Sequence, residues 1–248
     1  MIYREIKADV FLSNFIKCFW EFQNKQEDTE HTILPDGYFD LILEIENESL
    51  TDLFLTGVWT KPQNVFIKKG VKLLGIRCKL ISAEFLFKQE IKTILDKSSS
   101  LPITFWEINE MPFNEFDKFS NILSKNIHQK LESINKIDAR KFNLFDIIYQ
   151  QKGCLEVGEL SKLIYWSSRQ INRYFNKQFG FSLKTFSNIL RCFAAYKDIA
   201  NGKTSPPLDF YDQAHFIKEI KRHTGNTPKQ LYNNINDRFL QLKTIDVK

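Results

Sequence analysis

Short apolar runs separated by turn signals occupy the first 95 or so residues: YFDLILEI, LFLTGVW, NVFIK and VKLLGIRCKL, punctuated by Pro35-Asp36-Gly37, Gly57, Pro62 and Gly70. Side chains alternate faces along a strand, so runs of this length and spacing predict an antiparallel sandwich or small barrel. From Pro112 to Gln151 the pattern (FNEFDKFSNILSKNIHQKLESINKI) has few breakers and predicts helix. From Gly153 to the end it is helical again, broken at Gly180-Phe181-Ser182, from Asn201-Gly202 through Pro206-Pro207, and from Gly225 to Pro228. The chain therefore reads as α+β: a β domain over 1–110, a helical connector over 111–150 and an all-α domain over 151–248. The connector is expected to join the two domains and either to dimerise or to pack on the β domain.

One stretch of the helical zone occurs twice, 45 residues apart: Ser167 to Lys184 (SSRQINRYFNKQFGFSLK) and Asp212 to Lys229 (DQAHFIKEIKRHTGNTPK). A helix-starting Ser or Asp leads each copy, Gly180 and Gly225 close each helix, and Ser182 matches Thr227 just beyond. Ser167 and Gln170 form a capping-box pattern, which satisfies backbone donors at a helix start. At 100° per residue, Ile171, Tyr174 and Phe175 make one face; Arg169, Asn172, Arg173 and Asn176 fall opposite, with Lys177 beside them. Upstream, LEVGELSKLI puts Leu160, Leu163 and Ile164 on one side of a short helix, and Tyr165-Trp166-Ser167 is about the length of a tight helix-turn-helix connection. The polar stripe is either an ordinary solvated face or a reading face, since Arg and Asn match guanine and adenine edges in the major groove. A solvated face usually carries Glu as well as Lys, and no acidic residue occurs between Arg169 and Lys197, which favours nucleic acid.

Composition changes this picture little, and charge changes it more. The 248 residues, 43% hydrophobic and 26% charged, suit a soluble globular protein of two modest domains, and 23 Phe point to aromatic-rich cores. No apolar run is long enough to span a membrane, and MIYREIKADV lacks a signal-peptide layout, so a cytoplasmic protein without membrane partners is expected. The cysteines Cys18, Cys78, Cys154 and Cys192 are scattered in hydrophobic contexts and read as reduced core thiols, and neither they nor the dispersed histidines have metal-ligand spacing. The basic charge is confined to one half: from Gln150 onward lie 16 of the 35 Lys/Arg but only 8 of the 30 Asp/Glu. That asymmetry favours a polyanion partner for the C-terminal half alone.

The order LEVGELSKLIYWSSRQINRYFNKQFGFSLKTFSNILRCFAAYKDI, followed by LDFYDQAHFIKEIKRHTGNTPKQLY, resembles the DNA-binding half of AraC/XylS-type transcriptional regulators over about Gly153 to Asn233. The resemblance implies two helix-turn-helix units, joined by a long helix over Leu183 to Ala200, in successive major-groove segments of double-stranded DNA. It implies base-facing Arg169, Asn172 and Arg173, with Gln170 and Asn176 at the edge, in the first reading helix. In the second it implies base-facing Gln213, Ala214, Ile217 and Lys218, with Lys221 and Arg222 near phosphates. Phosphate contacts would set affinity and salt dependence, base contacts sequence choice. The chain departs from the family twice. Tyr165 stands where the family usually has Gly, so the first turn is expected to be strained or reshaped. Counting back 45 residues from LEVGELSKLI gives ANGKTSPPLD, whose prolines and Gly202 forbid a normal first helix in the second unit. His215 reads either as a buried, hydrogen-bonded structural residue or as a base reader.

Residues Ile16 to Trp106 (CFWEF, ILPDGYFDLILEI, LTGVWTKP, LLGIRCKL, LPITFW) resemble the regulatory domain found ahead of such halves, which implies a cupin-like β-barrel that often holds a small effector. Asp36 is then a plain tight-turn residue or a ligand contact, and Arg77 pairs with an acidic effector or with Glu44 or Asp40. A metal-dependent cupin enzyme needs clustered histidines, and His31 is alone in this zone, so no metal, cofactor or catalytic residue is expected. The leading expectation is a sequence-specific DNA-binding regulator, with RNA polymerase, a small-molecule effector and a second copy of the chain as further partners. The alternatives are a partner-binding regulator whose DNA binding is lost or weak, and a DNA repair enzyme with an attached DNA-binding module. The latter needs a reactive Cys, for which no cysteine here has the setting.

Overall fold

The computed structural model describes residues 2–134, 138–206, 210–233 and 239–244. Eight strands come first: β1 (Ile2–Lys7), β2 (Ile16–Gln23), β3 (Thr29–Ile33), β4 (Phe39–Glu46), β5 (Ser49–Thr56), β6 (Gln63–Ile67), β7 (Lys72–Cys78) and β8 (Ser98–Ser100). A short helix α1 (Ile81–Phe85) sits between β7 and β8. The helices α2 (Phe116–Glu132), α3 (Ala139–Gln150), α4 (Val157–Ile164), α5 (Ser168–Phe179), α6 (Leu183–Ala200), α7 (Gln213–Thr224), α8 (Pro228–Tyr232) and α9 (Leu240–Thr244) follow. The fold is α+β, an N-terminal antiparallel β domain followed by a C-terminal helical domain.

The strands form two sheets rather than one closed wall: six strands in the order β1-β2-β7-β4-β5-β8, and the pair β3-β6. Alternation along the strands assigns the faces. On β4, Phe39, Leu41, Leu43 and Ile45 enter the main core, whereas Asp40, Ile42 and Glu44 line a cavity between the sheets. On β7, Leu74, Ile76 and Cys78 take the core side and Leu73 and Arg77 the cavity side. Gly75 lies opposite Trp20 in the ladder, and a Cβ there would come within 2.0 Å of the indole, so this glycine lets the ring lie flat on the strand.

The stretch 112–151 is helical as expected but divides into two helices, and residues 135–137 of the expected run lie outside the described residues. The apolar stripe of α2 (Phe116, Phe119, Leu123, Ile127, Leu131) is spent on the chain's own core, and Arg4 donates to Asp117 at 2.9 Å from β1. Of the two uses expected for this stripe, it packs on the β domain.

That core continues without a break through Leu144, Phe145 and Ile148 of α3 into Leu160 and Ile164 of α4, Ile171, Phe175 and Phe179 of α5, and Phe186 and Leu190 of α6. A second cluster joins Cys192, Tyr196 and Ile199 of α6 to Phe216 and Ile220 of α7 and Leu231 of α8, and it includes Leu34 from the loop after β3. Leu163, expected among the apolar face of α4, is instead 55% exposed. With only eight residues, α4 turns Leu160 and Ile164 inward, and the residue one step before Ile164 points away. None of the four cysteines forms a disulfide, and three are buried; Cys154 is only half-buried, at the loop after α3. Burial pushes the Cys18 and Cys192 thiols up to about 12, so both are inert.

The local signals that start and stop the C-terminal helices all appear. Ser167 closes a capping box with Gln170, Ser182 caps α6 through the Thr185 amide, Asp212 caps α7 through the His215 amide, and Thr227 repeats the capping box with Gln230. Gly180 and Gly225 end α5 and α7 in the left-handed region, at φ +83° and +74°. Replacing Ser167 by alanine removes the hydroxyl that accepts from the Gln170 amide, leaves the backbone N–H at this position to donate to Gln170 Oε1, and should cost about 1 kcal/mol in a denaturant titration. A loss below about 0.3 kcal/mol would mean that packing alone holds the start of α5.

Candidate functional site

Helices α4 and α5 are joined by three residues, and the first, Tyr165, sits in the left-handed region at φ +56°, ψ +36°. The expected irregularity at this turn is present, carried by a bulky residue in a conformation that glycine adopts freely. Ser161 on α4 ties the far side of the turn by donating to the Trp166 carbonyl.

On α5, Ile171, Phe175 and Phe179 are buried, Tyr174 donates from its hydroxyl to Glu84 Oε2 at 2.9 Å, and Gln178 donates to the Gln89 carbonyl at 2.7 Å. The helix is thereby held against the β domain on one side only. Its other side presents Arg169, Gln170, Arg173, Asn176 and Lys177, all exposed. These five are not equally free. Gln170 spends its Oε1 on the Ser167 backbone and hydroxyl, at 2.8 and 2.9 Å. Asn176 donates to the Asn172 carbonyl at 2.8 Å, and Lys177 lies 3.8 Å from Glu90. Arg169 and Arg173 make no hydrogen bond or ion pair with any described residue.

Asn172 differs from the expected exposed face. It is half-buried, donates to the Ser168 carbonyl at 3.0 Å, and accepts from the Leu183 amide at 3.3 Å. Its side chain pins the start of α6 onto α5. The helical wheel could not show this, because the partner comes from the next helix.

On α7, Gln213, Ala214, Lys218, Lys221 and Arg222 are exposed and Ile217 is half-buried. Gln213 reaches back to the Thr204 carbonyl at 3.0 Å and ties down the preceding loop, while Arg222 lies 3.9 Å from Glu219 of its own helix. Among the described residues no helix lies between Ala200 and Gln213, in keeping with the breakers there; Pro207, Leu208 and Asp209 of that stretch lie outside the described residues. His215 is half-buried, 5.9 Å from the Phe210 ring; its Nδ1 is buried without a hydrogen-bond partner among the described residues, so the packing part of the structural reading is met there and the hydrogen bond is not.

The exposed basic faces of α5 and α7 are set at the two ends of α6. Phe181 and Phe186 stack at the N-terminal end of α6 with Phe175 and Phe179 of α5, and Tyr196 and Ile199 near its C-terminal end pack on α7. The 18 residues of α6 span about 27 Å.

The β domain holds a separate candidate site. The cavity between the sheets measures about 470 Å³ and is walled by Tyr3, Trp20, Phe22, Phe54, Trp59 and Phe66 among others. At one end Arg77 lies 3.4 Å from Asp40 and 3.9 Å from Asp36, and its Nε has no hydrogen-bond partner among the described residues. The expected partner Asp40 is therefore found, joined by Asp36 in place of Glu44. Burial works against the guanidinium charge, but the carboxylates of Asp40 and Asp36 outweigh it and hold Arg77 well above its usual range. Burial raises Asp36 even though Arg77 opposes the shift. Trp20 donates from Nε1 to Asp40 Oδ1 at 2.7 Å, and Lys17, lowered by burial, stacks over Tyr38 and Phe193.

The turn that carries Asp36 also holds the two parts of the chain together. Tyr196 of α6 donates to the Pro35 carbonyl at 3.0 Å, and Tyr149 of α3 donates to the Gly37 carbonyl at 2.8 Å. Gly37 has φ +81°, and a Cβ on it would fall 2.6 Å from Leu190. One residue earlier in the loop, the Leu34 amide donates to Gln241 Oε1 of α9 at 2.7 Å, and Gln241 and Leu240 also line the cavity. Trp20, Leu34, Tyr149 and Tyr196 surround this turn and the Arg77 cluster without having been singled out in the sequence; Trp20 lies within CFWEF and Leu34 directly before Pro35-Asp36-Gly37, whereas Tyr149 and Tyr196 come from distant helices and carried no such sign. Among the described residues no group of His, Cys, Asp and Glu could hold a metal, and no helix is long and apolar enough to cross a membrane.

Residues 4–100 match a family described as a domain of unknown function, DUF6597. No curated protein matches the chain. Similar solved structures include an apo variant of ToxT from Vibrio cholerae, at 9% identity and TM-score 0.44, covering 87% of this chain and 97% of that one. Wild-type ToxT from the same organism with an unsaturated fatty acid bound is similar at 10% identity and TM-score 0.39, covering 88% and 95%. ToxT bound to (E)-4-(8-methylnaphthalen-1-yl)but-3-enoic acid is similar at 10% identity and TM-score 0.41, covering 97% of each chain.

Proposed function

We propose that the chain is a sequence-specific DNA-binding transcriptional regulator of the AraC/XylS type. In this reading residues 1–110 are a cupin-like regulatory domain, 111–150 a connector and 151–248 the DNA-binding domain. The observation that carries it is the pair of capped helices α5 and α7, each with an outward basic face, set at opposite ends of one 18-residue helix. The helix between them spans about 27 Å, the same order as the roughly 34 Å between major-groove segments on one side of B-DNA. Arg169 and Arg173 read bases, since they alone on the α5 face carry guanidinium forks with no internal partner. Lys177, Lys218, Lys221 and Arg222 neutralise phosphates and set the salt dependence. Asn172 organises the helix pair, and Gln170 the start of α5. The cavity beside Arg77 takes the small effector.

Selection of bound duplexes from a random pool tests this directly. The wild-type chain should enrich one sequence, and Arg173→Ala should lose about 1–3 kcal/mol of discrimination at one position of it. Enrichment of the same site with the same preference by the variant would refute the placement of Arg173 on a base. A second reading, a partner-binding regulator with lost or weak DNA binding, is favoured by the absence of a helix before α7 among the described residues. No enriched sequence even at low salt would support it over the first.

A further inference from the structure

Two tyrosines stand out of the surface beside the two reading helices. Tyr165 is 88% exposed and lies two residues before Ser167, the cap of α5; Tyr211 is 93% exposed and immediately precedes Asp212, the cap of α7. Neither ring nor hydroxyl makes a hydrogen bond, ring contact or cation contact with any described residue. Tyr165 in addition holds a left-handed backbone, φ +56°, that costs a side-chain-bearing residue and costs glycine nothing. The side chain thus contributes nothing inside the molecule and sits on a backbone that disfavours it. A large amphipathic ring kept under those conditions points to a contact outside the chain.

We propose, resting on the DNA-binding reading, that Tyr165 and Tyr211 are backbone clamps: their rings pack on deoxyribose and their hydroxyls donate to phosphate oxygens on either side of the groove that each helix enters. The position decides for backbone over base. In a helix-turn-helix the first residues of the reading helix reach base edges while the helix before it crosses the backbone, so a residue just ahead of the reading helix's cap, as Tyr165 is for α5 and Tyr211 by position for α7, lies toward the sugar-phosphate ridge. Both tyrosines are on the turn side of the cap, and exposed cations of the same helices, Arg169 and Arg173 on α5 and Lys218 on α7, lie within two turns of them. A tyrosine is neutral, so the contact adds affinity and register without releasing a counterion.

The test uses the full chain and the duplex that the wild type enriches. Tyr165→Gly should raise the thermal midpoint by about 2 °C, through relief of the left-handed strain. It should also weaken duplex binding about tenfold, leaving the preferred sequence and the slope of affinity against salt unchanged. Tyr211→Ser should weaken binding to a similar degree without the gain in midpoint, and Tyr165→Phe should lose part of the affinity by removing the hydroxyl alone. Unchanged affinity in both Tyr165→Gly and Tyr211→Ser overturns the clamp and leaves the regulator reading standing. A changed preferred sequence overturns it too, because the ring would then be reading a base. A wild-type chain that enriches no duplex removes the DNA-binding reading and the clamp together.

Discussion

Replacing Arg77 by leucine is expected to cost about 3–5 kcal/mol of stability near neutral pH, because it leaves two largely buried carboxylates near one another without their cation. Asp36 is 4% exposed and Arg77 is the nearest opposing charge to it and to Asp40. The loss should depend on pH in a definite direction. Burial already lifts the Asp36 carboxyl above its ordinary value while Arg77 restrains it. A carboxyl that binds its proton more tightly folded than unfolded weakens the fold as pH rises from the unfolded value toward the folded one. Without Arg77 that interval widens, so the gap between variant and wild type should be smallest near pH 4 and grow toward neutrality. Urea titrations of both proteins across that range check it; a gap that shrinks as pH rises would show that Asp36 is not the group being stranded.

The second large effect is expected at Leu34. This side chain belongs by sequence to the β domain, yet it is fully buried in the cluster formed by α6, α7 and α8. Truncating it to alanine should cost about 2–5 kcal/mol. Because Leu34 shares its cluster with Phe216 and Ile220 of α7, the loosening should be local before it is global. Amide exchange should accelerate in α7 and α8 and stay near wild-type rates in α5, whose core contacts are with Phe145 and Phe186 instead. Equal acceleration in α5 and α7 would mean that the two units share one cooperative core.

The helical domain was legible because its signals are local. Ser167, Ser182, Asp212, Gly180 and Gly225 each act on a backbone within a turn of themselves, and the bounds Leu183 to Ala200 for the linking helix coincide with α6. The strands holding YFDLILEI and VKLLGIRCKL were legible from alternation and turn residues. Their partnership was not: β7 sits between β2 and β4, neighbours separated by dozens of residues, and nothing in a strand's own sequence names the strand beside it. The same reason explains Asn172 and Leu163. A helical wheel distinguishes two sides, but which polar residue is claimed by a neighbouring helix depends on contacts made after folding. The cavity followed this pattern as well: Arg77 opposite Asp40 was within reach of the sequence, whereas Asp36 joined it through the bend of a turn.

The loop from Leu34 to Tyr38 bears on how portable these parts are. A C-terminal helical half is often imagined as a cassette that can be cut out and grafted onto another N-terminal domain. Here the graft would leave behind Leu34, the acceptor carbonyls of Pro35 and Gly37, and the surface on which Phe186 and Leu190 rest. A chimera would therefore have to carry this pentapeptide with it, or resupply its shape from the new host.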